Sequence, residues 1–444
     1  MKQTNRPFLT ILALALAVVL GLGACGNTAQ QSNGAKSDDA AATTEETATE
    51  ATATEEAATE ETADATATTE TADAAAATET AAVDDATALD LWADDSPTAA
   101  LVKEYVADVT DEKSPNFIPA EDRLCTIDWD GTLFGELDPI YFDWAMYIHR
   151  VLWDSTYEPT PEQVEVAHQI EEVEQTRSFP DGLEAQHAKY LAEAFKGMSV
   201  EDFRAYVAEF GETDAPKFTG LKRKDSYYKP MVQLVNYLHD NGFDCYVVSG
   251  TDRNVLRELI PAYFPWMDDV HIKGSVSTVE ASGQKGADGL EYTWTPEDEL
   301  VLGGELVIKD VKANKPSIIA TEIGKQPVVS LGNSSGDSSM ANYCVNNNKY
   351  KSLALMLCCD DTDRDWGEIE KAESMVKSCK ENGWHAVSQK DEWKTFFGDE
   401  VKLDKEWTFA ESDPNQAGPN AREASFDAAG TPQAEEEVEL AEAA

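Results

Sequence analysis

The chain has 444 residues, enough for about two or three average domains, and 35 Lys plus Arg stand against 84 Asp plus Glu for a formal charge of -49. Phosphate neutralisation needs clustered Lys and Arg, so this balance excludes a nucleic-acid or anionic-membrane surface as the working face. The charge is uneven. Residues 37–88 hold fifteen acids and no base, 410–444 hold nine acids and one Arg, and 1–36 hold three bases and no acid. Residues 89–409 therefore carry 31 bases and 60 acids, so the part able to fold is acidic without being extreme. An aromatic share of 9% gives that part material for a sizeable core.

Lys2 and Arg6 open the sequence, an apolar run follows over 8–22, and the run ends in Leu22-Gly23-Ala24-Cys25. A basic start, an apolar centre and small residues before a cut describe a secretory signal over 1–24. The run is close to the ~20 residues of a membrane span, so length alone does not separate signal from anchor. The four-residue ending resembles a bacterial lipoprotein lipobox, which implies that Cys25 becomes the lipid-bearing N-terminus. The expectation is an extracytoplasmic protein held on the membrane through acyl groups. Residues 25–88 are nearly all Ala, Thr, Glu and Asp. Without large apolar side chains they cannot offset the entropy of ordering, and they read as a disordered tether with an uncharged-coil span of about 45 Å. The tail 409–444 reads alike.

The middle alternates strands and helices. Apolar runs at 120–127, 243–248, 327–331 and 352–359 are each stopped by small and acidic residues, as buried parallel strands are. Helical patterns at 229–240, 252–260 and 317–323 separate them. The prediction is an α/β doubly wound, mainly parallel sheet, built from 89–134 and 230–408. Residues 135–229 differ, with helices predicted over 140–153, 161–178, 184–196 and 200–210. They read as a helical cap inserted at the strand ends. Stretches 271–279 and 300–307 are β-like and suit a hairpin.

In such sheets ligands bind at the carboxyl ends of the strands. Four pieces of sequence fall there. Asp128 and Asp130 lie two apart on the turn after the first run, where one carboxylate can attack while the other serves as acid and base. Ser249 and Gly250 end the second run with a hydroxyl and backbone N–H groups for an anion. Lys315, at a helix start, can neutralise a phosphoryl oxygen, with Lys309 and Lys312 as nearby rivals. Asn333 and Asp337 add oxygen ligands for a hard cation such as Mg²⁺. Taken singly each has an ordinary explanation, an acidic turn, a common Ser-Gly turn, a surface Lys or a polar loop. Their order makes them specific together.

The ordered set Asp128-Trp-Asp130-Gly-Thr132, Ser249-Gly250-Thr251, Lys315-Pro316 and Gly332-Asn333-Ser-Ser-Gly-Asp337 resembles the haloacid dehalogenase (HAD) superfamily, in its phosphoserine-phosphatase-like branch. The resemblance covers about 120–360. It implies that Asp128 attacks phosphorus, that Asp130 protonates the leaving alcohol and then activates water, and that Thr132 shapes the turn. It implies that Ser249 and Lys315 hold the transferring group. Mg²⁺ would be bound by Asp128, the backbone carbonyl of Asp130, Asn333 and Asp337. The family usually has Asp where Asn333 stands, and Glu136 is off the usual spacing of the branch's substrate-sensing Glu. The expectation is a phosphatase for a small phosphorylated metabolite, with no nucleic-acid or protein partner. The alternatives are a catalytically weak HAD-fold binding lipoprotein and a phosphotransferase.

The six His are scattered, without zinc-site spacing. Cys125 and Cys245 read as buried small hydrophobes. A disulfide from Cys379 to Cys344 or Cys358 is permitted outside the cytoplasm. Tyr141, Trp144, Tyr147, Trp153 and Tyr227 suit helix-face packing. A cage for a cationic head such as choline is the functional alternative for them.

Overall fold

The computed structural model describes residues 89–136 and 140–407. The expected signal, Cys25, the tether and the tail 409–444 lie outside the described residues. Among the described residues no helix is long and apolar enough to cross a membrane.

Helix α1 (Pro97–Thr110) starts on Ser96, whose Oγ accepts from the Ala99 N–H, with Pro97 at the first helical position. Strand β1 (Leu124–Ile127) is buried at every position. Next come α2 (Phe142–Ile148), a π turn over His149–Trp153, α3 (Pro161–Thr176), α4 (Leu183–Ala194) and α5 (Val200–Gly211). Helix α3 opens with a reciprocal cap: Thr160 Oγ1 accepts from the Gln163 N–H and Gln163 Oε1 accepts from the Thr160 N–H. Strand β2 (Phe218–Thr219), α6 (Lys229–Asp240), β3 (Asp244–Asp252) and α7 (Arg253–Leu259) follow, then β4 (Ile272–Ala281), β5 (Leu300–Ile308) and α8 (Asn314–Ile318). The last elements are β6 (Val329–Gly332), α9 (Ser338–Val345), β7 (Leu353–Cys358), α10 (Ile369–Asn382), β8 (His385–Ser388), α11 (Gln389–Glu392) and β9 (Lys402–Leu403).

Seven strands form one sheet in the order β5-β4-β3-β1-β6-β7-β8. Its neighbours are parallel except for β4 and β5. This is the mainly parallel α/β sheet predicted, and the four apolar runs fall on β1, β3, β6 and β7. The β-like stretches form the antiparallel β4–β5 pair. The predicted elements do not include α1, β8, α11 or the small β2–β9 pair, although α1 carries helix signals, with Ser96-Pro97 at its start and buried Ala99, Val102, Tyr105, Val106 and Val109 along one face.

Strand β1 is flanked by β3 and β6, so both its edges are paired, and all four of its residues are buried, as in a central parallel strand. Helix α4 lies against β5 and α5 against α7. The outer edge of β5 is bonded by the loop after α4: Gly197 N–H donates to Leu302 O at 2.7 Å and Leu302 N–H to Met198 O at 2.9 Å. An edge covered in this way is protected from pairing with another protein molecule.

Strand β3 continues to Asp252, past the expected end at 248. Its register against β4 shifts there: Val248 pairs with Lys273, while Asp252 pairs with Ser275. Four steps on one strand thus match two on the other, and such an irregularity re-aims the side chains it contains.

The permitted disulfide is not formed. The six described cysteines are free thiols, with Cys344, Cys358 and Cys379 all buried. They fill core space as small hydrophobes.

Candidate active site

Strand β1 ends at Ile127, and the Asp128 N–H extends its ladder by donating to Leu331 O of β6 at 2.9 Å. Trp129 then turns into the core, fully buried and stacked on Phe134 at 4.1 Å. Asp128 and Asp130 on either side line a cleft of about 600 Å³. Gly131 closes the turn at φ +73°, a left-handed conformation, and a Cβ there would lie 1.9 Å from Asn333 Nδ2. Only glycine satisfies both conditions. Thr132 Oγ1 donates to Asp128 Oδ2 at 3.4 Å.

Lys315, in the first turn of α8, is 1% exposed. Its Nζ donates to Asp128 Oδ1 at 2.6 Å, Asp337 Oδ1 at 2.6 Å and Val248 O at 2.8 Å. All three ammonium donors are used, and one cation bridges two buried carboxylates. Burial and the Asp337 charge push the Asp128 carboxyl up to about 7, against the pull of Lys315. Burial disfavours the Lys315 ammonium, but Asp128, Asp337 and Asp310 outweigh it and raise its pKa. Lys309 instead donates to Gly250 O at 2.7 Å, and Lys312 is exposed at the cleft edge.

The loop after β6 wraps the Asp337 carboxylate. Its Oδ2 accepts from the Asn333 N–H at 3.1 Å, the Ser334 N–H at 3.0 Å and Ser334 Oγ at 3.2 Å. Both oxygens of Asp337 are therefore occupied, one by Lys315 and one by the loop.

Asp130 Oδ2 accepts from Thr251 Oγ1 at 2.5 Å, while Oδ1 is shielded from solvent without a hydrogen-bond partner among the described residues. Burial, then the charge of Asp143, push this carboxyl well above the usual range. A shift in this direction favours the protonated form that a proton donor requires. Ser249 is fully buried, and its Oγ accepts from the Thr251 N–H at 3.2 Å. Gly250 and Thr251 line the cleft. The sequence points to Ser249 as a holder of the anion; its side chain is fully buried and the cleft is lined at this place by its neighbours Gly250 and Thr251.

Glu136 joins the loop after β1 to a distant element. Its carboxylate accepts from Tyr141 OH at 3.0 Å, Asn333 Nδ2 at 3.2 Å and Lys371 Nζ at 2.9 and 2.8 Å. Lys371 stands on α10, 235 residues downstream, in no motif. No local signal could have found it. The same is true of Phe179, a cleft-lining ring from the loop between α3 and α4.

The donors suit a hard cation in kind but are few. Among the described residues no three His, Cys, Asp or Glu side chains gather as a metal cage. Mg²⁺ needs only one or two carboxylates, because it keeps several waters. Asp128 Oδ2 accepts the long Thr132 contact and faces the cleft that Asn333 also lines. The residues present fit such an ion.

Of the aromatic residues singled out, Tyr147, Trp153 and Tyr227 are core residues. Tyr141 and Trp144 line the cleft. His149 is buried, its ring 5.5 Å from Phe210.

Residues 125–342 match the family model described as haloacid dehalogenase-like hydrolase. No curated protein matches this sequence. Among solved structures, a conserved functionally unknown protein from Anaerococcus prevotii DSM 20548 is similar at 14% identity, covering 65% of this protein and 91% of that one, with a TM-score of 0.40. A protein with unknown function from Bordetella pertussis Tohama I is similar at 13% identity, covering 60% and 97%, with a TM-score of 0.39. Cytosolic 5'-nucleotidase IIIB bound to cytidine is similar at 10% identity, covering 66% and 85%, with a TM-score of 0.40.

Proposed function

We propose that the haloacid dehalogenase-like hydrolase domain formed by residues 125–342 is a phosphomonoesterase that cleaves a small phosphorylated metabolite through an aspartyl-phosphate. The observation that carries the reading is the bridge at Lys315. One buried ammonium holds Asp128 at the cleft beside Asp130, whose carboxyl burial shifts toward the protonated form. In the first step the Asp128 carboxylate forms a bond to phosphorus and the ester P–O bond breaks. Asp130 passes its proton to the departing alkoxide, so the alcohol leaves neutral. Asp130, now a carboxylate, takes a proton from water as that water attacks the phosphoryl group on Asp128. Inorganic phosphate leaves, and both carboxyl groups return to their starting states.

Lys315 supports the phosphoryl oxygens as a fixed positive charge and cannot swing away, since its other donors are tied to Asp337 and Val248. Asp128, Asn333 and the Asp130 backbone carbonyl, beside Asp337, would hold Mg²⁺, which when bound neutralises phosphoryl charge. The same reading places the protein outside the cytoplasm, with Cys25 acylated and the domain carried on the acidic tether. Residues 135–229 serve as the cap that screens substrate.

Phosphate release from para-nitrophenyl phosphate with Mg²⁺ tests the reading, with Asp128→Asn as control. The amide is a poor nucleophile, so the variant is expected to lose turnover by orders of magnitude and to form no phosphoenzyme while keeping its circular dichroism. Wild-type protein without turnover, or a variant that retains it, would overturn the assignment.

A further inference from the structure

The wall of the cleft opposite β6 is aromatic. Tyr141 precedes α2, Trp144 lies in its first turn, and Phe179 reaches in from the loop between α3 and α4. Tyr141 and Trp144 have ring centroids 5.5 Å apart at 67°, Trp144 and Phe179 5.9 Å apart at 68°, and Tyr141 and Phe179 6.4 Å apart at 45°. Trp144 is buried, so it forms the floor, whereas Phe179 is 48% exposed. A large ring left that open to water has an unfilled apolar neighbourhood.

The chemistry of the wall decides what fits it. The rings are steeply inclined to one another, so no two faces are parallel and a flat ring could not be sandwiched. A rounded group suits such inclined rings better than a flat one, and each exposed face carries the negative lobe of its quadrupole. Asp181 and Glu184, both exposed, line the same side of the cleft. The outer face of this wall is backed by His187, 4.7 Å from Trp144, and burial first and Lys309 second push its pKa well below the usual value. A neutral imidazole brings no positive charge that would repel a cation. Of the four lysines that line the cleft, Lys315 and Lys371 are tied to Asp128 and Glu136, Lys309 donates to Gly250 O, and Lys312 is exposed at the edge. Glu136 is itself filled by three donors and so is not the group that reads a substrate ammonium.

We propose that Tyr141, Trp144 and Phe179, with Asp181 and Glu184 at the rim, form a cage for an organic ammonium, and that the substrate is a phosphomonoester of an amino alcohol, best a quaternary one. The proposal rests on the phosphomonoesterase reading, and the leaving alcohol of that reaction is then the cationic one. The phosphate sits at Asp128 and the ammonium against the rings, so both ends of one small molecule are held in one cleft.

The test compares phosphocholine with 3,3-dimethylbutyl phosphate, its uncharged carbon isostere. Wild-type protein is expected to favour phosphocholine by about tenfold in kcat/KM, the scale of a cation held by desolvated rings. In Phe179→Leu and Glu184→Gln that ratio falls toward one, chiefly through KM for phosphocholine. Equal use of the two esters by wild type, or a ratio unmoved in both variants, overturns the cage. Calorimetric titration with choline alone involves no chemistry and separates the two ideas. Choline binding without hydrolysis of any ester, para-nitrophenyl phosphate included, removes the phosphatase reading and supports the cage. Hydrolysis of para-nitrophenyl phosphate with no choline binding removes the cage and leaves the phosphatase.

Discussion

Asp310 is buried near Lys315, and neither of its carboxyl oxygens has a hydrogen-bond partner among the described residues. Burial pushes its pKa up to about 7, more than Lys315 and Arg253 pull it down. Below the ordinary carboxyl value of 3.8 both the folded and the unfolded protein hold this proton. Between 3.8 and about 7 the folded state keeps it and the unfolded state does not. Stability from this residue therefore falls as pH rises through that window, by at most about 4 kcal/mol. Urea unfolding at pH 5 and pH 8 should show a smaller fall for Asp310→Asn than for wild type. An identical fall in both would mean that Asp310 is ionised in the fold. Asn333 carries a second prediction. Its amide donates to Glu136 Oε2 at 3.2 Å, so Asn333→Asp removes a donor and sets two carboxylates together. Without metal the variant should lose about 1–3 kcal/mol. Added Mg²⁺ should restore more stability to it than to wild type, because a charged ligand binds the ion more tightly. Equal restoration would show that position 333 is not a ligand.

Helix ends and strand register are features of whole elements. The reciprocal cap on α3 satisfies two backbone N–H groups, at Thr160 and Gln163. Thr160→Ala should lower unfolding stability by about 1 kcal/mol. A change under a few tenths would mean that Gln163 alone holds the turn. Helices α3 to α5 are legible in the sequence because apolar residues recur along one face and Ser199 or Thr160-Pro161 mark a start. Helix α8 is partly legible: the predicted 317–323 covers its last turn and the π turn Ile319–Ile323, but not the Asn314–Lys315 start that aims Lys315 inward. The end of β3 differs from expectation for a related reason. Ser-Gly looks like a turn, whereas hydrogen bonding to β4 carries the strand on to Asp252.

At the scale of the whole molecule, the address and the domain are separate matters. The Leu22-Gly-Ala-Cys25 ending motivates the prediction that Cys25→Ala is neither acylated nor retained by membranes. Metabolic acyl labelling with detergent partitioning checks it: wild type should take up label and enter the detergent phase, and the variant should do neither. A variant that still partitions would mean that the apolar run over 8–22 stays in the membrane as a span. The described part is built on one sheet of seven strands, and its six cysteines are free thiols.

What the sequence determined by itself was local and periodic. All-apolar runs of strand length give buried parallel strands, and an Asp-x-Asp-Gly-Thr turn after one of them puts two carboxylates at the carboxyl end of that strand. Tertiary structure decided which distant groups meet. Lys315 rather than Lys309 or Lys312 reaches Asp128, since α8 sets its Nζ between two carboxylates and Val248 O. Thr251 meets Asp130 from the stretch of β3 where its register against β4 slips, a contact across 121 residues that no local pattern announces. Lys371 pairs with Glu136 only because β7 and α10 return the polypeptide to the cleft. Local sequence sets the conformations open to a segment. Contacts across hundreds of residues are chosen by register and packing, which are properties of the assembled core.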